Sequence, residues 1–247
     1  MNAIYIMWLR QIKRYLRSRS RIIGSIGQPL LFLVALGFGF GPIYAKAGGG
    51  DYIQFLAPGI ISMGILFTSI FAGIEVIWDR QFGFLKETLV APVSRFEIML
   101  GRTLGGATIG VIQGIIIFLI TLLVGFRPDF NGVPFALIFA ILIATFFTAL
   151  GTSIASMLDD MQGFQLIMNF LVMPVFFLSG ALFPLADLPN LISSITLLDP
   201  LSYGVDGIRG SLVGQMHFGL IPNLGILSIL TLIMLGIGSY LFSKTQA

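Results

Sequence analysis

The sequence contains no cysteine and a single histidine, His217. The first absence excludes disulfides, thiolate metal sites and thiol nucleophiles. The second excludes a multi-histidine metal centre and leaves no plausible Ser/His/Asp set. Charge is also scarce. Only 10% of the 247 residues are charged, where a soluble domain carries about a quarter. No Gly-x-x-x-x-Gly-Lys-Ser/Thr phosphate loop occurs. The cluster Gly37-Phe38-Gly39-Phe40-Gly41 lies inside an apolar run and lacks the lysine that would reach a phosphate, so it reads as helix packing. Asp159-Asp160 lacks nearby oxygen ligands for a metal and reads as a solvated turn. Nothing in the chain supports catalysis, a resident cofactor or a bound metal.

What is abundant is apolar. Hydrophobic residues make up 56% of the chain, and the mean hydropathy is +0.98. These values define an integral membrane protein of all-α class. A helix needs roughly 20 apolar residues to cross a ~30 Å hydrocarbon core. Six stretches meet this: about 22–44, 54–78, 101–126, 134–157, 163–183 and 219–242. Pro29, Pro58, Pro134 and Pro222 fall near span starts, where a missing N–H costs least. Pro174 falls mid-span and predicts a kink. Ala45-Lys46-Ala47 mimics a signal cleavage site, but the preceding apolar run exceeds the ~7–15 residues of a signal core. The first span is therefore read as uncleaved.

The net charge of +3 does not point to nucleic acid. The basic residues sit at membrane borders, where they set orientation. Arg10, Lys13, Arg14, Arg17, Arg19 and Arg21 precede the first span. Arg80, Lys86, Arg95 and Arg102 lie around the second-to-third connection, and Lys244 lies in the tail. Lys46, Arg127 and Arg209 fall on the opposite side. Eleven against three places both termini in the cytosol of a multi-pass protein in the cell membrane, plasma or inner. Six spans, an even number, agree. The chain then divides into an amphipathic helix over 1–21, one transmembrane domain over 22–242 and a tail over 243–247.

Three elements outside the spans stand out. In the first 21 residues, Tyr5, Trp8, Leu9, Ile12 and Leu16 share a helical face, and Arg10, Lys13, Arg14, Arg17 and Arg21 lie nearly opposite. That pattern predicts an interfacial helix with its cationic face toward anionic lipid. The cytosolic hairpin 79–102 predicts a short amphipathic helix over Gly83–Val90, stopped by Ala91-Pro92. Ser94 and Glu97 then form a capping box for the third span. The outer segment 184–218 is too apolar for a loop and too interrupted to span twice. It predicts short re-entrant helices, the second capped by Asp199, opened by Pro200 and running to about Val213 with Asp206 and Arg209 paired at i, i+3. Such a segment serves either as a plug or as an outer gate.

Polar groups within spans are the remaining candidates. Glu75 lies near the cytosolic end of span two, and Arg102, at the foot of span three, is its expected partner in a gating or structural pair. Gln165 and Asn169 in span five, with Met173, Phe176 and Phe177, are read as facing protein or a watery path. Phe67 and Phe71 of span two are candidates for the same path. The Gly101/Gly105 and Gly106/Gly110/Gly114 ladders predict close helix contact in span three.

Taken together, three features resemble a known family. They are the basic leading helix, the Gly83-Phe84-Leu85…Pro92-Val93-Ser94-Arg95…Glu97-Ile98 hairpin and the outer run Asp199-Pro200-Leu201-Ser202-Tyr203-Gly204-Val205-Asp206-Gly207-Ile208-Arg209-Gly210. Over nearly its whole length the chain resembles the membrane subunit of type II ATP-binding-cassette exporters, nearest the daunorubicin-resistance and nodulation-export permeases. A common form of the outer motif begins Asn-Pro; Asp199 keeps the capping oxygen. The resemblance implies that Phe84, Leu85, Lys86, Glu87 and Thr88 form the coupling helix that docks on a separate ATPase. It implies two permease copies, expected as a homodimer, over two ATPases that hold ATP and Mg. A hydrophobic or amphipathic substrate, drug-, lipid- or glycan-like, would pass between the copies along spans one, two and five. Asp199, Pro200, Tyr203, Asp206 and Arg209 would belong to the outer gate. The rival is an ATP-independent carrier or channel that uses Glu75 as a proton site.

Overall fold

The computed structural model describes residues 3–90, 92–185 and 189–244, and within these not the side chains of Leu85, Lys86, Leu89 and Leu191. Among the described residues every regular element is helical. The order is α1 (Ala3–Arg17), α2 (Arg19–Lys46), α3 (Tyr52–Phe71), α4 (Ile74–Gln81), α5 (Phe84–Val90), α6 (Arg95–Val124), α7 (Val133–Ser156), α8 (Met161–Leu178), α9 (Asn190–Leu198), α10 (Pro200–Val213) and α11 (Leu220–Ser243). Six helical stretches are long and apolar enough to cross a membrane: α2, α3 with α4, α6, α7, α8 and α11.

Several helices begin ahead of the apolar runs that announce them, while α8 ends at Leu178, short of its run to 183. α2 begins at Arg19, so Pro29 lies well inside it rather than in its opening turns, as does Pro42. Membrane helices tolerate this because neighbouring groups satisfy the freed carbonyls. α6 begins at Arg95 because the capping box forms as expected. Ser94 Oγ accepts from the Glu97 N–H at 3.1 Å, and Glu97 Oε2 accepts from the Ser94 N–H at 3.1 Å. Pro174 is interior to α8, as the sequence places it.

One expected helix is two. The second span breaks at Ala72–Gly73, where the Gly73 N–H bonds to the Ile70 carbonyl in a tightened turn. The cause is close backbone packing. A Cβ on Gly73 would collide with the Gly151 carbonyl, and one on Gly151 would collide with the Ile70 carbonyl. Two glycines thus let α3–α4 and α7 touch backbone to backbone. The break restarts the chain as α4 with its own N-terminus.

α6 uses its glycines on two faces. Gly101 and Gly105 seat α1, against Ile4, Met7 and Gln11. Gly106, Gly110 and Gly114 seat α3 and α7, against Ala72, Thr148, Ser69 and Ile65. α1 therefore runs alongside α6 in the same chain sense, held by Trp8 Nε1 donating to Thr108 Oγ1 at 3.0 Å and Tyr15 donating to Gln113 Oε1 at 3.0 Å. Arg95 donates to the Ser243 carbonyl at 2.9 Å, so the end of α11 returns to the start of α6. The start of α1 and the end of α11 lie at one end of the bundle. α3 is its core, with 72% of its most apolar window buried, against 17% for α2 and 22% each for α8 and α11.

Packing of this kind is tested by the smallest possible addition. Gly151→Ala forces the α3 and α7 backbones apart. It is expected to cost about 1–3 kcal/mol, seen as a melting point lower by several degrees in detergent. Gly39→Ala, where a Cβ meets nothing within 4 Å, leaves the melting point unchanged or slightly raised by better helix propensity.

Candidate functional site

The site grows from α4. Glu75 and Asp79 are four residues apart and so share one helical face. Both are buried, 2% and 3% exposed. Because the chain breaks at Gly73, Glu75 falls in the first turn of a new helix, where the positive end of the helix dipole favours an anion. Four arginines converge on the two carboxylates. Arg10 grips Asp79 with both nitrogens, at 2.8 and 2.6 Å. Arg102 donates to Asp79 Oδ2 at 2.6 Å, and Arg14 lies 3.4 Å from Oδ1. Arg21 donates to Glu75 Oε1 at 2.7 Å. Arg14 stands 3.9 Å from Glu75 Oε2, too far for a hydrogen bond.

Two expectations change here. The Glu75–Arg102 pair is not formed, because Asp79 lies one turn nearer the hairpin and takes Arg102. Glu75 pairs with Arg21 instead. The cationic face of α1 is also not simply a lipid-facing surface. Arg10 and Arg14 turn inward to the carboxylates while Lys13 and Arg17 stay exposed; Arg21, expected on the same helix, falls instead in α2 and also turns inward, to Glu75.

Beside this cluster lies a cavity of about 420 Å³ whose walls include Tyr15, Arg21, Ser25, Phe67, Phe71 and Glu75. Phe67 and Phe71 stack at 6.4 Å between centroids. They continue into an aromatic seam, Phe67 edge-on to Phe176 at 6.3 Å and Phe71 edge-on to Phe164 at 6.2 Å. The expected path residues therefore divide. Phe164, Met168, Val172 and Phe176 form the buried stripe of α8. Gln165, Asn169, Met173 and Phe177 sit one position on and face outward, all exposed. They do not join Phe67 and Phe71 within one copy of the chain.

The hairpin helix α5 is tied to this cluster. Its Phe84 ring lies 3.8 Å beneath the Arg10 guanidinium, the same group that grips Asp79. Thr88 is buried and donates to the Phe84 carbonyl at 2.9 Å, and Glu87 is exposed. The expected contact residues Leu85 and Lys86 lie in α5, and their side chains are outside the described set. Around α5 the apolar side chains of Phe82, Val90 and Phe96 are 80%, 86% and 52% exposed. Arg80 donates to the Ser156 and Leu158 carbonyls, both at 2.8 Å, and so closes the end of α7. It also pairs with the exposed Asp159, while Asp160 caps α8 through the Gly163 N–H. The acidic pair is structural.

At the far end, α10 is buried from Leu201 to Arg209. Asp199 caps it through the Leu201 N–H at 2.9 Å, and Pro200 opens it. Tyr203 donates to the Leu197 carbonyl at 2.7 Å, which pins α9 to α10. The expected Asp206–Arg209 ion pair is absent. Asp206 turns toward α11, accepting from the His217 and Phe218 N–H groups at 2.7 and 2.9 Å and from Asn223 at 2.9 Å. Arg209 turns toward α3, stacking 4.0 Å over Phe55 and donating to the Gly180 carbonyl at 2.8 Å. Each uncapped backbone group offers a better partner than the other side chain does. What sequence reasoning missed were Asp79, Arg21 and Gln113, polar residues at helix borders or alone within an apolar run, and Phe164, which only the phase of α8 reveals.

Six helical stretches long and apolar enough to cross a membrane make the class a multi-pass membrane protein. The particular family follows from comparison. The family model for ABC-2 type transporters matches residues 2–213, and the chain belongs to that family. It is 32% identical over 201 residues to a transport permease, ycf38, of Porphyra purpurea, covering 78% of this chain and 68% of that one. It is 29% identical over 216 residues to the ycf38 permease of Cyanophora paradoxa, covering 84% and 73%. It is 26% identical over 210 residues to Nodulation protein J of Rhizobium leguminosarum bv. viciae, covering 84% and 81%. The resemblance to type II exporter permeases holds, and the chain is a membrane transport permease.

The charge cluster carries its own test. Asp79→Asn leaves Arg102 buried without a counter-ion, which costs about 3–5 kcal/mol. The folded yield in detergent and the melting temperature are expected to drop sharply. Adding Arg102→Met to Asp79→Asn recovers a substantial part of the loss, and Lys13→Ala, at an exposed position, changes neither measure.

Proposed function

We propose that this chain is the permease subunit of an ATP-driven exporter, that it works as a pair of copies, and that two separate ATPase chains bind the ATP and Mg. The membrane is the cell membrane, plasma or inner, with both termini in the cytosol. The observation that carries the reading is the double use of Arg10. One guanidinium stacks on Phe84 of α5 and grips Asp79 of α4. A force applied to α5 by a partner would reach α4, and through Asp79 and Arg102 it would reach α6. The exposed apolar residues around α5 suit a docking surface of this kind. Alternating access would follow as rigid-body movement of the helices driven by closure of the ATPases. α9 and α10 would form the outer gate.

The second copy is supported by the outward face of α8. Gln165 and Asn169 are exposed there on a helix of membrane-spanning length, and polar groups at that depth normally face protein or water. The substrate would pass between the copies along α2, α3 and α8. A hydrophobic or amphipathic molecule, drug-, lipid- or glycan-like, fits the apolar walls. The rival of an ATP-independent carrier using Glu75 is disfavoured, because Arg21 holds that carboxylate in an ion pair.

Replacing Lys86 and Glu87 together by Ala is expected to cut ATP-driven transport at least tenfold while membrane insertion and folding stay normal. Full transport by the purified chain with no ATPase present would sink the exporter reading. The lack of native cysteine gives a clean test of the pairing. With Asn169→Cys, a short bis-maleimide should link two copies in native membranes. With Leu123→Cys, on an exposed site of α6, it should not.

A further inference from the structure

The first turn of α10 holds a carboxyl group in surroundings that offer it no opposite charge. Asp199 is 6% exposed. Its Oδ1 accepts from the Leu201 N–H at 2.9 Å, and its Oδ2 accepts from the Ser202 hydroxyl at 3.1 Å. None of the ion pairs among the described residues includes it. α10 packs on α3, α7, α8, α9 and α11, and none of these five helices contains an Asp, Glu, Lys or Arg. Their titratable groups are Tyr52, which donates to the Leu182 carbonyl, and Tyr240, which is exposed near the end of α11. Within α10, Tyr203 stands one turn on and Asp206 is turned to α11. Arg209 lies about 15 Å further along the axis and is turned to Phe55 and Gly180. A buried carboxylate without a counter-ion is costly, so such a group holds its proton more tightly than in water. α9 and α10 are not among the six spans. Burial pushes the Asp199 carboxyl from an ordinary value of about 3.9 up to about 7, against the pull of its two hydrogen bonds.

Three helices meet at this carboxyl. The Asp199 N–H donates to the Thr196 carbonyl in the last turn of α9 at 3.2 Å. Thr196 donates to the Leu178 carbonyl at the end of α8 at 3.2 Å, and Tyr203 donates back to the Leu197 carbonyl at 2.7 Å. The neutral acid fits this joint without movement. Oδ1 still caps the Leu201 N–H, and a proton on Oδ2 reverses the Ser202 bond. The anion must draw in water or leave, and leaving uncaps α10. We propose that Asp199 is a proton-operated latch on the α9–α10 joint, closed when the carboxyl is protonated and loosened when it ionises. Burial sets the direction. In the loosened form the hydrated carboxyl has its ordinary proton affinity, and in the closed form a higher one. The closed form is therefore favoured at low pH and loses that advantage as pH rises from about 4 to about 7, with little further loss above. The inference rests on the outer-gate reading only in what the loosening does to transport.

Asp199→Asn provides the test, because asparagine caps a helix as well as aspartate does and cannot ionise. The chain has no native cysteine. Val205→Cys, at a fully buried site of α10, therefore reports opening of the joint through its rate of reaction with a maleimide. Ala144→Cys, equally buried in α7, is the control. Each reporter is measured in the full chain in nanodiscs, with and without Asp199→Asn, from pH 5 to pH 8. Dividing the rate without Asp199→Asn by the rate with it cancels the ionisation of the thiol itself. At Val205→Cys this ratio is expected to rise at least tenfold from pH 5 to pH 8, and at Ala144→Cys it should stay flat. A flat or falling ratio at Val205→Cys overturns the proposal, and so does an equal rise at Ala144→Cys. If the cysteine variants do not fold, melting temperatures decide. The lead of Asp199→Asn over the native chain should widen by several degrees from pH 5 to pH 8, and a constant difference overturns the latch. These measurements need no ATPase, so they stand apart from the coupling test. A rising ratio with ATP-driven transport unmoved by Asp199→Asn supports the latch and overturns the outer-gate reading alone. A flat ratio with ATP-driven transport intact overturns the latch alone.

Discussion

Two carboxylates on one turn and a half of helix must be neutralised out of water, and much of this end of the helical bundle is arranged around that demand. An isolated buried carboxylate is prohibitively costly. Here Glu75 and Asp79 draw Arg10 and Arg14 from α1, Arg21 from α2 and Arg102 from α6. Four helices are joined by charge at one place. A set of buried ion pairs is weak evidence of net stability. Its contribution is to fix which helix faces which, in a chain whose other contacts are mostly interchangeable apolar surfaces.

That arrangement depends in turn on close backbone contact. α4 exists as a separate helix because Gly73 and Gly151 let two backbones touch, and the interruption gives Glu75 an N-terminal position. The glycines of α6 do the same on two sides, bringing α1 close enough for Arg10 to reach Asp79. Association of helices in lipid lacks a hydrophobic driving force and relies on such small-residue packing and on polar bonds. The protein uses both within a few turns of each other.

Much of this was legible in the sequence. The six spans follow from hydropathy, the capping box from Ser94 and Glu97, and the start of α10 from Asp199-Pro200, because each is a local rule. The short helix after Gly83 was visible for the same reason. Partners were not legible. Glu75 and Asp79 share one helical face with several arginines in prospect, and only the helix break and the approach of α1 decide that Arg102 meets Asp79. Asp206 and Arg209 looked paired by spacing, yet backbone N–H and carbonyl groups from distant segments outcompete that pair. The two faces of α8 could not be told apart either, since Phe176 and Phe177 differ by a single position and both are apolar. Periodicity shows that a stripe exists. Its phase is set by neighbours in three dimensions.

The placement of α1 has a consequence for how the protein is made. Its partners lie at residues 75, 79, 84, 101, 105, 108 and 113, all of which leave the ribosome after it does. The first helix therefore waits. Arg10 and Arg14 have no carboxylate to meet until α4 has been made, and α1 has no seat against Gly101 and Gly105 until α6 has followed. The same side chains can act first as an address for the nascent chain and later as the ties that close the finished one. A truncation before α6 would leave that first role intact and remove the second.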